Sequence, residues 1–476
     1  MSGVLSQSSR SDIPVSARVR QSKRSELRNA TASVLDAKGS AMTVQDIVEA
    51  VSAISGTRRS SKQLENGIRL LFSREVHRDG GLFLRLESGQ YDLRERVEAR
   101  LRERIRTEIE RQGLQDLSAS SPMTSQTKSK EDLRALHRRA RHSKYMQMRD
   151  FISEKEPQLL EYFAEGTELN VDAFAPRVEA VESGTWENDL FRYATLLWGV
   201  PVSGGFGRRV RFLVWDDSNG KLVGLFALGD PVFNLRCRDQ WIGWNAKQRG
   251  ERLYNVMDIF ILGAVPPYNQ LLGGKLVAML ATSNEIREMV ERRYRDRPTI
   301  LQNKKKNPRL ILLTTGSALG RSSLYDRIKY NRLLLYRRIG TSQGWGHFHL
   351  NGGLFEEMKA YVAISDPERA AANRFGNGPN WKIRVARQCL EGLGLSGNLL
   401  RHGIGREIYA IPLARNFRQY LLGEHRRIQA FDLPSDELAS YFRERWMRGR
   451  ALRRPEYKEF RKLAIPQTIH SAQVDD

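Results

Sequence analysis

The sequence predicts a multidomain protein of the α+β class, and three observations lead to this prediction. Its 476 residues are too many for one ordinary core, because a domain averages roughly 150 residues. The composition is globular, with 40% hydrophobic and 28% charged residues, which excludes a membrane protein, a collagen-like chain and a wholly disordered chain. Helix signals dominate both ends of the chain, whereas strands and helices alternate in the middle.

The N-terminal part begins with a sequence pattern typical of three successive helices. A disordered arm rich in Ser, Arg and Gln is predicted over residues 1–24, and a helix is predicted over residues 25–38. Thr43 and Ser60 each open a capping-box-like sequence, with Asp46 and Gln63 three residues further on. These two signals predict the starts of the second and third helices.

The third helix and the residues after it predict a winged helix-turn-helix domain over residues 25–94. Asp79-Gly80-Gly81 is a hairpin turn signal, and a short strand ends at Leu93. The third helix has an apolar face formed by Leu64, Ile68, Leu71 and Phe72. The opposite side is the one that a recognition helix presents to the major groove, and it carries Lys62, Asn66, Arg69 and Ser73.

Basic residues near this helix extend the predicted contact with duplex DNA. Arg78 in the turn and Arg85 on the wing strand are candidates for phosphate contacts. Glu65 lies on the same helix, which keeps open the alternative of a winged helix that binds protein. The stretches TVQDIVEAV and FLRLESGQYDL resemble the HARE-HTH winged-helix domains, which bacteria attach to restriction enzymes and other DNA-acting proteins.

Residues 95–130 are predicted to be a charged helix and a linker. The helix has many Glu–Arg pairs at i,i+4 spacing, which favours a solvated spacer. A Ser/Thr/Lys-rich stretch then marks a domain boundary, and a basic helix follows over residues 131–151. Three cations on one side of that helix are candidates for phosphate contact: Arg134, Arg138 and Arg141.

The predicted body covers residues 131–350, with a C-terminal part over 351–430 and a basic helical tail over 431–476. Strands are predicted at residues 209–215, 221–228, 254–262, 309–315 and 335–339. Helices are predicted at residues 271–293 and 322–334. Within the tail, residues 443–462 contain nine Lys and Arg but three Glu, a balance that suits sequence-independent phosphate contact.

Five sequence blocks in this body resemble the DruA family of Druantia anti-phage systems. In order, they occupy residues 238–245, 260–262, 339–346, 399–404 and 409–416, and the resemblance spans residues 140–430. This chain has Met257-Asp258 where family members tend to have an Asn-Asn pair, and Asp258 is a candidate catalytic residue. The resemblance implies antiviral defence and association with DNA.

The order of elements between residues 205 and 345 is similar to the GNAT acetyltransferase fold. That fold binds the pyrophosphate of coenzyme A at a helix N-terminus, and the matching loop here contains Gln270, Gly273 and Gly274. Lys275 stands where GNAT acetyltransferases have a small residue. Tyr325 lies near the position of the general acid of that fold. The alternative is that both glycines let a helix pack closely against the sheet.

A second candidate surface combines tryptophans with arginines. Bases can stack on aromatic rings while guanidinium groups hold phosphates, and the side chains concerned are Arg236, Arg238, Trp241, Trp244 and Arg249. The alternative is a core tryptophan pair with a charged rim. Asp239 is a candidate catalytic residue, or it pairs with an arginine.

Other candidates for chemistry are isolated. His402 is predicted in a loop, where sites concentrate, although a structural turn is the alternative. His347 and His349 lie on one face of an extended chain without a third ligand in reach, so no metal site is predicted. Glu357 and Lys359 have the Glu-x-Lys spacing of metal-dependent nucleases, but they lie in a helical pattern.

The charge of +23 favours a polyanionic partner. Together with the resemblance to the DruA family, which implies antiviral defence, it predicts a cytoplasmic, DNA-associated protein that acts with other proteins of a defence system. Because the sequence has no P-loop, work that needs ATP is expected to fall to a partner such as a helicase. Only two cysteines occur, which fits a reducing compartment. The alternatives are an acyltransferase that uses coenzyme A, a metal-dependent nuclease and a protein-binding scaffold.

Overall fold

The computed structural model describes residues 15–55, 60–76, 78, 81–86, 88–111, 144–198, 207–299, 303–317, 320–342, 344, 350, 353–374, 381–400 and 405–470. The chain forms two compact units. The first contains residues 1–119 and 347–400, and the second contains residues 120–346 and 401–476.

The helices of the described residues are numbered in chain order: α1 (Val15–Lys38), α2 (Val44–Ser55), α3 (Ser61–Glu75), α4 (Arg94–Arg111), α5 (Arg149–Leu159), α6 (Trp186–Ala194), α7 (Arg236–Ile242), α8 (Ala246–Arg252), α9 (Gly273–Leu280), α10 (Asn284–Tyr294), α11 (Gly353–Ser365), α12 (Pro367–Arg374), α13 (Trp381–Gly392), α14 (Phe417–Leu422), α15 (Ser435–Phe442), α16 (Arg448–Arg453) and α17 (Ala464–His470).

The strands are β1 (Phe83–Arg85), β2 (Tyr91–Leu93), β3 (Pro176–Val181), β4 (Arg209–Asp216), β5 (Lys221–Gly229), β6 (Val256–Ala264), β7 (Leu312–Ser317), β8 (Lys329–Tyr330), β9 (Leu333–Leu334), β10 (Arg337–Thr341) and β11 (Glu407–Pro412). Seven of them form one mixed sheet in the order β10-β11-β7-β6-β5-β4-β3. The pair β6–β7 is parallel, and every other neighbouring pair in this sheet is antiparallel.

The first unit begins with α1 to α3 and an antiparallel hairpin of β1 and β2. Both capping boxes are confirmed: Thr43 and Asp46 exchange hydrogen bonds, and so do Ser60 and Gln63. The buried face of α3 includes Leu64, Ile68 and Phe72, as predicted, whereas Leu71 is partly buried against the same core. Met42 forms a single bridge with Tyr91.

The N-terminal boundaries differ from the predicted ones in two places. Helix α1 begins at Val15, so residues 15–24, predicted as part of a disordered arm, are helical. Strand β1 ends at Arg85 and β2 begins at Tyr91, so the connection of this hairpin comes after the predicted turn, and within it Gly89 adopts a φ of 82°. Of the predicted turn at 79–81, residues 79 and 80 lie outside the described residues.

Helix α4 is not the solvated spacer that its charge pattern predicted. Val97, Leu101, Ile105 and Ile109 recur every four residues and are all buried. They share one apolar core with residues of α11 and α13, and Arg102 donates a hydrogen bond from Nε to the carbonyl of Leu393 (2.8 Å). The Glu–Arg pairs cover the remaining faces of the helix, so a strongly charged composition concealed a narrow apolar stripe.

The second unit is built on the seven-stranded sheet, which has a core on each face. Alternation along β4 sends Phe212 and Val214 to one core and Leu213 and Trp215 to the other, because successive side chains of a strand point to opposite faces. The first core also contains the buried residues of α9 and α10.

Two predicted helices of this unit are wrong in detail. The helix predicted over 271–293 is two helices, since Ser283 caps α10 by accepting a hydrogen bond from the amide of Ile286. The helix predicted over 322–334 is a 3₁₀ turn (Tyr325–Arg327) followed by the β8–β9 hairpin. Asn331 turns this hairpin with a φ of 52°, a conformation that Asn tolerates better than most residues.

Among the described residues, no helix is both long enough and apolar enough to cross a bilayer.

Candidate functional site

The two parallel strands of the large sheet separate part-way along their length. Three residue pairs join β6 and β7, and the last of them is Asp258 with Thr314. Beyond it, β6 continues to pair with β5 and β7 continues to pair with β11. The Thr315 hydroxyl donates to the carbonyl oxygen of Ile259 (2.8 Å). In sheets with parallel strands, ligands commonly bind beyond the carboxyl ends of two strands that diverge. We therefore take the opening between β6 and β7, beyond Asp258 and Thr314, as the candidate site.

Asp258 lies at the point where the strands separate, and basic side chains surround it. Its Oδ1 accepts a hydrogen bond of 2.7 Å from the Thr314 hydroxyl. Burial raises the pKa of Asp258 above its usual value, while this hydrogen bond and the charges of Arg238, Arg406 and Arg209 lower it. Arg209 also lies over the ring of Phe260, at 4.2 Å. The site contains more positive than negative side chains, which suits an anionic ligand.

Tyr325 lies on the 3₁₀ turn rather than on a helix. Its ring stacks on that of Tyr336, with centroids 4.9 Å apart and planes 2° from parallel, and meets the edge of Tyr409. Burial raises the pKa of Tyr325 to about 12, although a hydrogen bond with Thr315 opposes this. The hydroxyl therefore keeps its proton at neutral pH and is a weaker acid than an ordinary tyrosine.

The predicted pyrophosphate loop lies at the start of α9. A Cβ on Gly273 would lie 2.7 Å from the carbonyl oxygen of Tyr268, and one on Gly274 would lie 3.0 Å from Leu324 Cδ1. Both glycines therefore permit close packing, which is the alternative interpretation of this loop. The side chain of Gln270 is exposed.

Cationic side chains gather at the same end of α9. The Lys275 ammonium lies 4.7 Å from the ring centroid of Trp446. Burial lowers the pKa of Lys275, and the guanidinium groups of Arg327 and Arg445 lower it further. Arg450 donates from Nε to the carbonyl oxygen of Gln270 (3.0 Å). The positive end of the helix dipole and several cations together favour an anion at this position.

The predicted tryptophan–arginine surface is largely internal. Arg238 is fully buried and binds Asp239 and two carbonyl oxygens. Asp239 also accepts from the Trp244 indole (3.0 Å) and from Arg249 (3.3 Å). Trp244 is buried as well, so it and Arg238 are not available to a nucleic acid in this conformation. Asp239 holds this segment together, which agrees with the structural interpretation of that residue.

The periphery of this segment is more accessible. Arg236 is exposed. Trp241 is half-buried, its ring stacked on Phe417 at 5.0 Å, with the guanidinium of Arg418 at 5.5 Å. One face of Trp241 is therefore already covered, which leaves less of the ring for a base.

In the first unit, the predicted DNA-contacting side of α3 is exposed: Lys62, Asn66, Arg69 and Ser73. Arg69 forms an i,i+4 ion pair with Glu65 at 2.8 Å. Arg78 and Arg85 are also exposed, and Arg78 lies 3.9 Å from Glu75. The exposed and the buried side chains of α3 therefore lie on two different faces of the helix, as the sequence predicted.

The remaining candidates divide into two groups. Glu357 and Lys359 lie on α11, where they pair with Arg104 and Glu356, so they belong to a helix surface. Within the described ranges no group of three His, Cys, Asp or Glu side chains is placed to hold a metal ion. The other candidates lie outside the described residues: Arg134, Arg138, Arg141, His347, His349 and His402.

Sequence reasoning did not identify four polar residues of the opening, namely Arg209, Thr314, Thr315 and Arg406. The one usable signal was the Thr314-Thr315 pair at the end of the aliphatic run LILL. Two hydroxyls that continue a buried strand indicate that the strand meets a site or a break in the ladder.

These observations define a class of protein: a two-unit mixed α/β protein with a cation-rich opening between parallel strands. The chain belongs to the family described as Druantia protein DruA, which matches residues 127–423. A relative, the Druantia protein DruA of Escherichia coli (strain UMEA 4076-1), is 43% identical over 362 residues, which is 76% of this chain and 89% of that protein. No solved structure matches the chain. The resemblance to the DruA family is therefore confirmed, while those to HARE-HTH domains and to GNAT enzymes stay predictions.

Proposed function

We propose that this protein is a DNA-associated component of a Druantia anti-phage system and that α3 contacts duplex DNA. The observation that carries this proposal is the division of α3 into two faces. One face is buried in the domain core, and the other presents an amide, two cations and a hydroxyl to solvent. Such side chains bind base edges and phosphates in the major groove.

Other proteins of the defence system act with it in this proposal. Because the sequence has no P-loop, work that needs ATP falls to a partner, for which a helicase is the natural class. The chain itself supplies affinity through phosphate contacts and preference through α3.

The experiment compares DNA selection by the full chain and by two matched triple variants. A preferred duplex is selected from a random pool, and its binding is measured against a scrambled duplex. The variant Lys62→Ala/Asn66→Ala/Arg69→Ala loses the preference, by roughly 10- to 100-fold for each base contact removed. The control Asn29→Ala/Lys38→Ala/Arg100→Ala removes the same residue types from exposed positions of the same unit and keeps the preference for the selected duplex. Equal preference in both variants would remove α3 from the proposal.

Acyl transfer with coenzyme A is a second candidate, and the separation of β6 from β7 favours it. The opening combines a hydroxyl that keeps its proton, Tyr325, with a cation-rich helix N-terminus at Gly274. In this proposal the helix amides and Lys275 bind the pyrophosphate, and Tyr325 protonates the leaving thiolate.

Thermal unfolding with coenzyme A tests this second candidate. A ligand at about 100 times its Kd stabilises a protein by roughly 2.7 kcal/mol. Gly274→Asp places a carboxylate at the helix N-terminus and abolishes the stabilisation, whereas Gly274→Ala, which makes a similar contact with Leu324, keeps it. If coenzyme A stabilises neither the wild type nor Gly274→Ala, this candidate is wrong.

A further inference from the structure

A groove in the second unit lies between α8, the segment 303–309 and the end of α14. Its lining includes Lys247, Arg252 and Lys306. The Asn255 amide donates to the carbonyl oxygens of Asn307 (3.2 Å) and Arg309 (2.8 Å), which fixes one wall. Gln248 fixes the other, since its Nε2 donates to the Leu422 carbonyl oxygen at 2.8 Å. The groove is therefore a formed feature of the fold.

The net charge of the lining is positive. Its three cations accompany one acidic residue, Glu251. In the described part of the chain, none of these cations forms an ion pair. The Lys306 ammonium instead donates to the carbonyl oxygen of Gly250 (3.3 Å), and the Arg252 guanidinium lies 5.3 Å from the ring centroid of Tyr420. Both charges are held at the groove without being neutralised.

Further exposed cations continue from both ends of the groove. Lys304 and Arg309 lie on the segment 303–309. At the other end, an Arg252 nitrogen is 3.7 Å from the Cβ position of Gly423, which opens a segment that carries Arg426 and Arg427. Exposed cations thus continue along the two chain segments that leave the groove, which suits contact with a polymeric anion.

The large exposed apolar side chains of the described residues lie outside the groove. The large exposed hydrophobic residues of the described ranges are Ile54, Leu70, Met146, Trp186, Val232, Phe233, Leu452 and Leu463, and none of them lines the groove. A membrane surface would be held partly by inserted apolar groups. The groove lining instead combines charged side chains with the amides of Asn255 and Asn307 and the rings of Tyr254 and Tyr420, a composition that fits a sugar-phosphate backbone better.

We propose that this groove binds the phosphate backbone of duplex DNA, independently of sequence. The inference rests on the proposed function and deepens it, because it assigns the affinity of the body to a surface distant in sequence from α3.

The salt dependence of DNA binding by the full chain tests this proposal. In the groove variant, Lys247→Gln/Lys304→Gln/Lys306→Gln, the slope of log K against log salt becomes smaller by roughly 2–3, since each lost phosphate contact accounts for about 0.9. The control Lys155→Gln/Lys329→Gln/Lys458→Gln removes the same charge from other positions of this unit and keeps the slope. The preference for the selected duplex stays unchanged in both variants.

The outcomes separate the groove from the proposed function. If the unaltered chain binds duplex DNA and the groove variant keeps the full slope, the groove proposal is wrong and α3 is unaffected. An equal loss of slope in both variants would also overturn it, because net charge alone would then explain the binding. If the unaltered chain binds no duplex, the proposed function and the groove fail together.

Discussion

Asp258 and Asp326 are carboxyl groups of the second unit whose pKa values move in opposite directions. Burial dominates at Asp258 and raises its pKa above the usual 3.8. At Asp326 the hydrogen bond from the Arg321 guanidinium (2.7 Å) dominates and lowers the pKa. The folded state therefore favours the protonated form of Asp258 and the ionised form of Asp326.

Asp258→Asn is expected to raise the free energy of unfolding at neutral pH. With a raised folded pKa, Asp258 contributes stability that is fully present below its unfolded pKa and is lost as pH rises through the folded value. Asparagine keeps an Oδ1 that can accept from Thr314 and has no charge to bury. Urea unfolding of both proteins at a series of pH values measures the difference, which widens as pH increases.

Asp326→Asn is the matched control and has the opposite sign. The Asp326 carboxylate adds to the free energy of unfolding above the pKa of the unfolded state, and this stabilisation is lost as pH falls through the lowered pKa of the folded state. Asp326→Asn is therefore expected to destabilise the protein at neutral pH. If Asp258→Asn also destabilises at neutral pH, the attraction of its three arginines outweighs its burial. The site would then be built around an ionised carboxylate.

At the scale of single elements, local signals predicted the helix starts well. The two capping boxes placed α2 and α3 correctly, because a cap is decided by residues three positions apart. The segment 322–334 was predicted as a helix from its composition, but Tyr325 stacks on Tyr336 and the β8–β9 hairpin follows. Contacts between residues more than one helical turn apart therefore determined the structure of this segment.

The candidate site could not be assembled from the sequence for the same reason. Asp258 and Thr314 are 56 positions apart and meet only because β6 and β7 pair in parallel. Tyr325 was predicted as a site residue from the resemblance to GNAT enzymes. Arg406 was not predicted, because in the sequence it follows residues 347–400, which belong to the first unit. A sequence pattern predicts which strands exist, but not where two of them separate.

At the scale of the whole molecule, the surplus of 23 positive charges is unevenly compensated. In the basic tail, five of the nine cations of residues 443–462 form ion pairs: Arg443, Arg448, Arg454, Arg461 and Lys462. Much of the tail's charge is therefore paired with acidic side chains, whereas Lys247, Arg252 and Lys306 form no ion pair with any acidic residue that the structure describes. Exposed ion pairs are weak, but they lower the net charge available to a polyanion.

Chain order and compact units do not coincide in this protein, which predicts the effect of truncation. The first unit combines residues 1–119 with 347–400, and one of its cores joins α4 to α11 and α13. A chain that begins at residue 131 would lose α4 and expose the apolar sides of α11 and α13. Removing the N-terminal domain would therefore disturb a segment more than two hundred residues away.

Hydrogen exchange of the full chain and of the chain from residue 131 measures this effect. Losing a single buried side chain of α4, such as Ile105, forfeits about 1.5–3 kcal/mol, so amide protection in α11 and α13 should fall about tenfold or more. Protection in α9 and α10, which belong to the other unit, should stay unchanged. Equal protection of α11 and α13 in both chains would show that these helices are stable without α4. DNA binding is accordingly better dissected with point variants of α3 and the groove than by deletion.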